Sequence, residues 1–243
     1  MKWAIFSDIH GNLEALEAVM RDMEITKPDK LYCMGDIVGY GTNSPECLEA
    51  VRALGCPVLR GNHDEEAALD RPVDNYSLPA RAGMLLARKQ LSHEQKAWLS
   101  SLPYTLELPG VTLVHASLHD PTEFIYILDA LLATSHFEWQ SKAYCFHGHT
   151  HVPVIWRHED NELAQGLAAR GVIELEANRH YNINVGSVGQ PRDFDPRASY
   201  VIFEPEEHRI EYRRVEYPVE ITQRKILLAG LPTATAARLA VGR

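Results

Sequence analysis

Apolar positions along this chain switch repeatedly between a run of consecutive residues and a helical spacing, and the switch points mark its elements. Residues 2–7 are a short apolar run closed by polar residues, which predicts a buried strand. Between 12 and 26 the apolar positions Leu13, Leu16, Val19, Met20 and Met23 recur at helical spacing, and Pro28 closes the helix. Residues 31–34 predict a second strand, 44–54 a second helix opened by Pro45, and 57–59 a short third strand. A β-α-β-α-β alternation implies a parallel sheet with right-handed crossovers.

Residues 65–102 are mostly helical in pattern, with Ser92 and Gln95 spaced as a capping box. Strand patterns return at 105–108 and 111–115, residues 121–140 are helical in part, and further strands are predicted at 143–146, 152–156, 172–175, 181–185, 200–203 and 208–214. Short connections there favour antiparallel pairing. Helices close the chain at 219–228 and 233–241. No repeat, low-complexity tract or linker divides it. The expectation is one α/β domain over 1–243, with two β-sheets packed as a sandwich and flanked by helices. A helical insert spans about 65–102 and a helical closing segment about 218–243. Strand order is not specified.

Composition narrows the partners. Hydrophobic residues make up 45% of the 243, enough for a core, and the net charge is −9. A chain this acidic has no global field to draw in a nucleic-acid polymer or an anionic membrane. No apolar run is long enough to span a bilayer, and the run at 3–6 is too short for a signal peptide. Cys33, Cys47, Cys56 and Cys145 are scattered with no CxxC pair, as expected of reduced thiols in a cytoplasmic protein. Oligomeric state is unspecified.

Twelve histidines are unusual less for their number than for where they fall. Five segments place metal-type ligands just beyond predicted strands: Asp8-Ile9-His10, Gly35-Asp36, Gly61-Asn62-His63-Asp64, His115 and Gly148-His149-Thr150-His151. Loops beyond the carboxyl ends of parallel strands converge on one crevice, so ligands distant in sequence can meet there. On an extended segment residues two apart face one side, which would let Asp8 with His10, and His149 with His151, grip one ion. Singly, each segment has an ordinary reading: a surface pair, a turn, or a core histidine. Their joint order and placement at strand ends are what chance rarely supplies. Imidazole, carboxylate and amide donors without thiolate suit two divalent transition metals, Mn before Fe, Zn, Ni or Co.

These blocks resemble the signature of the calcineurin-like metallophosphoesterase superfamily. The chain carries DIHGN at 8–12, GDIVGYG at 35–41, GNHD at 61–64, VHAS at 114–117 and GHTH at 148–151, and NVGSVGQPRD at 184–193 is similar to a loop of its small bacterial and archaeal phosphodiesterase branch. The resemblance implies two packed sheets with flanking helices. It also implies one metal on Asp8, His10, Asp36 and His151 and a second on Asp36, Asn62, His115 and His149, with Asp36 bridging. His63 would sit at the leaving group with Asp64 orienting it, and a metal-bridging hydroxide would attack phosphorus. Neighbours on an extended chain point apart, so His63 and Asp64 require a turn at Gly61–Asn62.

The loop holding Gly186, Ser187 and Arg192 is either a plain connection or a phosphate-binding edge made of amides and a guanidinium. Residues 65–102 and 120–140 are candidate walls of the substrate site, and Tyr40 and His119 candidate contacts. The expected activity is hydrolysis of a small phosphodiester or phosphomonoester, diester favoured. A nuclease of the same superfamily would need a basic stripe that this chain lacks. A non-catalytic scaffold would have lost ligands or the histidine at 63, and here none is missing.

Overall fold

In a computed structural model, which describes residues 1–74, 76–158 and 162–243, two β-sheets lie face to face with helices outside. The first sheet runs β2 (Lys30–Cys33), β1 (Trp3–Phe6), β10 (Ala198–Glu204), β11 (Arg209–Val215), β8 (Gly171–Glu174). The second runs β3 (Thr105–Leu108), β4 (Val111–Val114), β5 (Tyr144–His147), β9 (His180–Asn184), β6 (Val154–His158), β7 (Gln165–Leu167). Both sheets are mixed.

Side-chain alternation explains the layering. In β1, Trp3 and Ile5 face the second sheet, where they join Tyr32, Met34, Leu113, Phe146, Ile183 and Phe203. Ala4 and Phe6 face outward against α1 (Leu13–Thr26) and α2 (Ser44–Ala53). Being covered on both faces, β1 is apolar throughout, as a central strand of an α/β sheet must be. Residues 62–101 form α3 (Asn62–Leu69), α4 (Leu78–Gln90) and α5 (His93–Ser101); α6 (Ala130–Phe137) follows, and α7 (Val219–Leu228) and α8 (Thr233–Leu239) close the chain.

Three expectations are corrected. The third N-terminal strand at 57–59 reduces to a single parallel bridge, Cys33 to Val58, because the chain turns into α3 at Asn62, three residues after Leu59. Pairing in the second half is not wholly antiparallel: β4–β5 and β5–β9 are parallel. The strand β7 carried no pattern, being three residues with two exposed and a glycine. What matters for the site is that β1, β2, β4, β5 and β9 all end on one edge of the sandwich; four of the five candidate ligand segments follow β1, β2, β4 and β5, and the fifth, residues 61–64, follows the Val58 bridge.

Candidate metal centre

The candidate ligands sit in loops just past the strands, not on extended chain. Asp8, His10, Asp36, His149 and His151 all have φ between 51° and 65°, the left-handed region. Aspartate and histidine enter it more readily than most residues, yet each such position costs about 1–3 kcal/mol. This corrects the expectation that a two-residue spacing on a strand aligns Asp8 with His10. The sharp local turn of the backbone aligns them, and neighbouring loops hold it. Asp8 N–H donates to Gly35 O (3.0 Å), His10 N–H to Asp36 O (2.9 Å) and Gly189 N–H to Asp8 O (2.9 Å).

Six buried side chains converge in two overlapping groups: Asp8, His10, Asp36 and His151, and Asp36, His115 and His149. Asp36 belongs to both. Its Oδ1 accepts from the His63 amide at the start of α3 (2.8 Å), where the helix dipole favours negative charge. Its Oδ2 lies 3.6 Å from His10 Nε2 and 3.4 Å from His115 Nε2. Asp8 takes the His149 amide on both oxygens (3.2 and 3.0 Å).

The imidazoles are oriented as metal ligands are. His10 Nδ1 lies 3.2 Å from Val38 O, His115 Nδ1 2.8 Å from Met34 O, and His151 Nδ1 2.7 Å from Gln190 O. A carbonyl only accepts, so each Nδ1 carries a proton, and the neutral rings of His10 and His151 turn a lone pair inward from Nε2. His10 Nε2 and His151 Nε2 then face each other at 3.0 Å, two lone pairs that repel unless a cation lies between. Among the described residues, Nε2 of His149 and Oδ1 of Asn62 are buried with no hydrogen-bond partner. Buried acceptors are rarely left so. The donor set therefore fits divalent cations.

Burial pushes His10 and His149 well below the usual imidazole range and lowers His151. Burial would do the same to His115, but the Asp36 carboxylate overrides it and raises His115 to about 9. The Asp36 carboxylate, though buried, is held well below its usual range by His115 and His63.

His63 and Asp64 lie in the first turn of α3, which begins at Asn62, so they diverge around a helix. Asp64 does not orient His63. Its carboxylate accepts from Asp36 N–H (2.7 Å), Ile37 N–H (2.9 Å), Val38 N–H (3.3 Å) and Gly61 N–H (3.1 Å), so it fixes the loop that carries Asp36. Burial and the nearby Asp36 charge raise Asp64 to about 7. The His63 ring stacks on Tyr40 (4.8 Å, 28°) and meets His10 edge-on (4.7 Å), and its buried Nδ1 has no partner. Burial lowers it to about 4, so the ring is neutral near pH 7 before substrate arrives. The glycines of the motifs are steric necessities at two points. A Cβ on Gly61 would collide with Asp36 Oδ1, and one on Gly148 with Asp8 Oδ2.

A cavity of about 620 Å³ opens beside this cluster, with Asn62, His63 and His149 in its wall. The expected walls are there: Tyr76 and Ser77 from the first helical region, Phe124 and Tyr126 from the second. Arg192 and Tyr40 line it too, whereas His119 instead stacks on Trp139. Gly186 and Ser187 do not reach it. The Gly186 amide donates to Asn184 Oδ1 (2.8 Å) at the end of β9, and Ser187 Oγ donates to Asp8 O (2.8 Å), so Ser187 braces the Asp8 loop from behind. Sequence reasoning missed Tyr76, Tyr126 and Arg238, for which no motif exists; Tyr126 packs 3.9 Å from the His149 ring.

The chain matches the calcineurin-like phosphoesterase superfamily domain over residues 1–208. A metallophosphoesterase from Sphaerobacter thermophilus superposes with a TM-score of 0.89 at 39% identity, covering 100% of this chain and 99% of that one. An uncharacterised protein of Methanocaldococcus jannaschii is 36% identical over 99% of this chain and 98% of its own length. A symmetrical bis(5'-nucleosyl)-tetraphosphatase of Psychromonas ingrahamii is 38% identical over 63 residues, 25% of this chain and 23% of that protein.

Proposed function

The chain belongs to the calcineurin-like phosphoesterase superfamily, and we propose that it hydrolyses a small phosphoester, a diester in preference to a monoester, at a dinuclear metal centre. One observation carries the reading: inward-facing imidazole nitrogens and two carboxylates converge, with buried acceptors left unpaired, at the floor of a substrate-sized cavity. Asp8, His10, Asp36 and His151 would hold one divalent cation, and Asp36, Asn62, His115 and His149 a second. Mn²⁺ is favoured, with Fe, Zn, Ni and Co also suited to these donors. Such cations neutralise charge on phosphate oxygens and make an attacking water more acidic.

The chain's own residues supply the rest. Neutral His63, which lines the cavity, donates its one N–H to an oxygen of the bound phosphate or leaving group. A phosphate anion at that distance favours the imidazolium and raises its pKa, which turns His63 into a proton donor for the departing oxygen. Asp64 keeps the Asp36 loop rigid. Tyr40 braces the His63 ring, and Arg192 offers its guanidinium to the anionic substrate. Tyr76, Phe124 and Tyr126 form an apolar wall suited to an aromatic group.

The test is hydrolysis of bis-p-nitrophenyl phosphate and p-nitrophenyl phosphate by metal-stripped protein with Mn²⁺ restored. Mn²⁺-dependent cleavage of the diester supports the reading. Cleavage of the monoester alone makes the protein a phosphatase. No cleavage of either with Mn²⁺, Ni²⁺, Co²⁺ or Zn²⁺ refutes it.

A further inference from the structure

Most arginines of this chain are matched by a carboxylate. Arg60 and Arg71 face Glu65, Arg88 faces Glu66 and Asp70, and Arg213 and Arg214 face Asp22 and Asp193. Arg192 and Arg238 are different. Among the described residues, neither has a carboxylate within ion-pair distance, and both line the cavity beside the metal-ligating cluster. They also share one neutral acceptor: Arg192 donates to Gln190 Oε1 at 2.9 Å and Arg238 at 3.3 Å. Two guanidinium groups on a single oxygen repel each other, and Arg192 Nε is buried with no hydrogen-bond partner among the described residues. Burial and the Arg192 charge both lower the Arg238 pKa. Fixed like charges at a cavity wall are tolerated where an anion sits between them.

The fold invests in placing Arg238. It lies in the last turn of α8, beyond the stretch that matches the superfamily domain. Ile226, Leu231, Ala236 and Leu239 form a small core of their own under α7 and α8. Thr222 donates to Asn12 Oδ1 (3.0 Å), Lys225 to Asn43 Oδ1 (3.0 Å), and the tail's Gly242 O accepts from Phe194 N–H (2.8 Å). The closing segment is thus tied to the Asp8 loop, to the α2 entrance and to the chain just after Arg192.

Tyr40 connects the pair to the reaction site. Its ring stacks on His63, and its hydroxyl accepts from Arg192 (3.3 Å). Two guanidinium groups are more than the one phosphate at the metal-ligating cluster requires, and both line the cavity that a longer substrate would fill. We propose that Arg192 and Arg238 form a second anion seat beside the metal-ligating cluster, so that the substrate carries at least two linked phosphates. This rests on the phosphoester hydrolysis proposed above and deepens it.

The test reads binding as well as turnover. Calorimetric titration of the Mn²⁺-loaded protein compares adenosine 5'-monophosphate with its α,β-methylene diphosphate analogue. An added phosphate also contacts the metals, so the deciding quantity is the change that Arg238→Gln causes. The diphosphate preference should fall by about 10–100-fold, the usual worth of a charged hydrogen bond. Arg238→Lys should restore part of it, because charge returns without the fork. Equal affinities in the unmodified protein, or a preference untouched in a folded Arg238→Gln protein, overturn the seat. Diester cleavage without the preference refutes the seat alone. The Arg238-dependent preference without any cleavage supports the seat and refutes the hydrolase.

Discussion

Asp36→Asn tests the centre most directly, because one carboxylate serves both ligand groups. The asparagine oxygen can keep the His63 amide, but its NH₂ group then faces the His10 and His115 nitrogens where a second carboxylate oxygen stood. Each ion present at a hundredfold excess over its Kd stabilises the folded chain by about 2.7 kcal/mol, so two give about 5 kcal/mol. For a chain of this size 1 kcal/mol moves Tm by about 2–4 °C, and the unmodified protein should gain about 10–20 °C on Mn²⁺ addition. Asp36→Asn should gain no more than a few degrees. Asp8→Asn, whose carboxylate lies in one group alone, should keep roughly half of the gain. Calorimetric melts with and without Mn²⁺, together with metal content after dialysis, read both quantities. If Asp36→Asn retains one ion and half the shift, as Asp8→Asn should, Asp36 does not bridge and the reasoning fails.

Three further outcomes follow from the same geometry. His63→Ala should keep both metals yet lower kcat for bis-p-nitrophenyl phosphate by about 10²–10⁴-fold; an unchanged rate removes His63 from the chemistry. Asp64→Ala strips four buried amides of their acceptor and should cost about 3 kcal/mol or more in urea unfolding of the metal-free chain, whereas a loss under about 1 kcal/mol would show that water replaces it. His115 binds its proton more tightly folded than unfolded, so the stability it contributes is full below about pH 6.5 and is lost as pH rises through about 9. Burial keeps the Cys33, Cys47 and Cys145 thiols protonated and acts in the same direction as pH rises further. In chelator, the urea midpoint should therefore be lower at pH 9.5 than at pH 8, where the histidines that burial lowers are neutral folded and unfolded alike; the reverse order would contradict the Asp36–His115 coupling.

Local pattern determined a great deal here. Helical spacing at Leu13, Leu16, Val19 and Met23 marked α1, and Ser92 with Gln95 marked the start of α5, where the capping box forms. These features depend on residues within a turn or two of one another, so a one-dimensional reading captures them. Most metal-type ligands were legible for a related reason: all but His115 stand close to a glycine, and at Gly61 and Gly148 that glycine is required because a Cβ would collide with Asp36 and Asp8. What the chain could not announce was anything decided by distant partners. β1 lies between β2 and β10, and nothing near Trp3 specifies Phe203 as its neighbour. The left-handed turns at Asp8 and His149 are stabilised by bonds to Gly35, Gly189 and each other's loops, so their geometry exists only after the loops meet. Asp64 looked like a partner of His63 because the two are adjacent, and it became a clamp on residues 36–38 because α3 starts one residue before His63. Arg238 had no motif, and only the docking of α8 against the remainder of the chain brings it to Gln190 and the cavity. The sequence determined which groups were available and which short elements would form, since both depend on neighbours along the chain. Tertiary structure decided which groups meet, because burial and charge are set by residues that approach only when the chain folds.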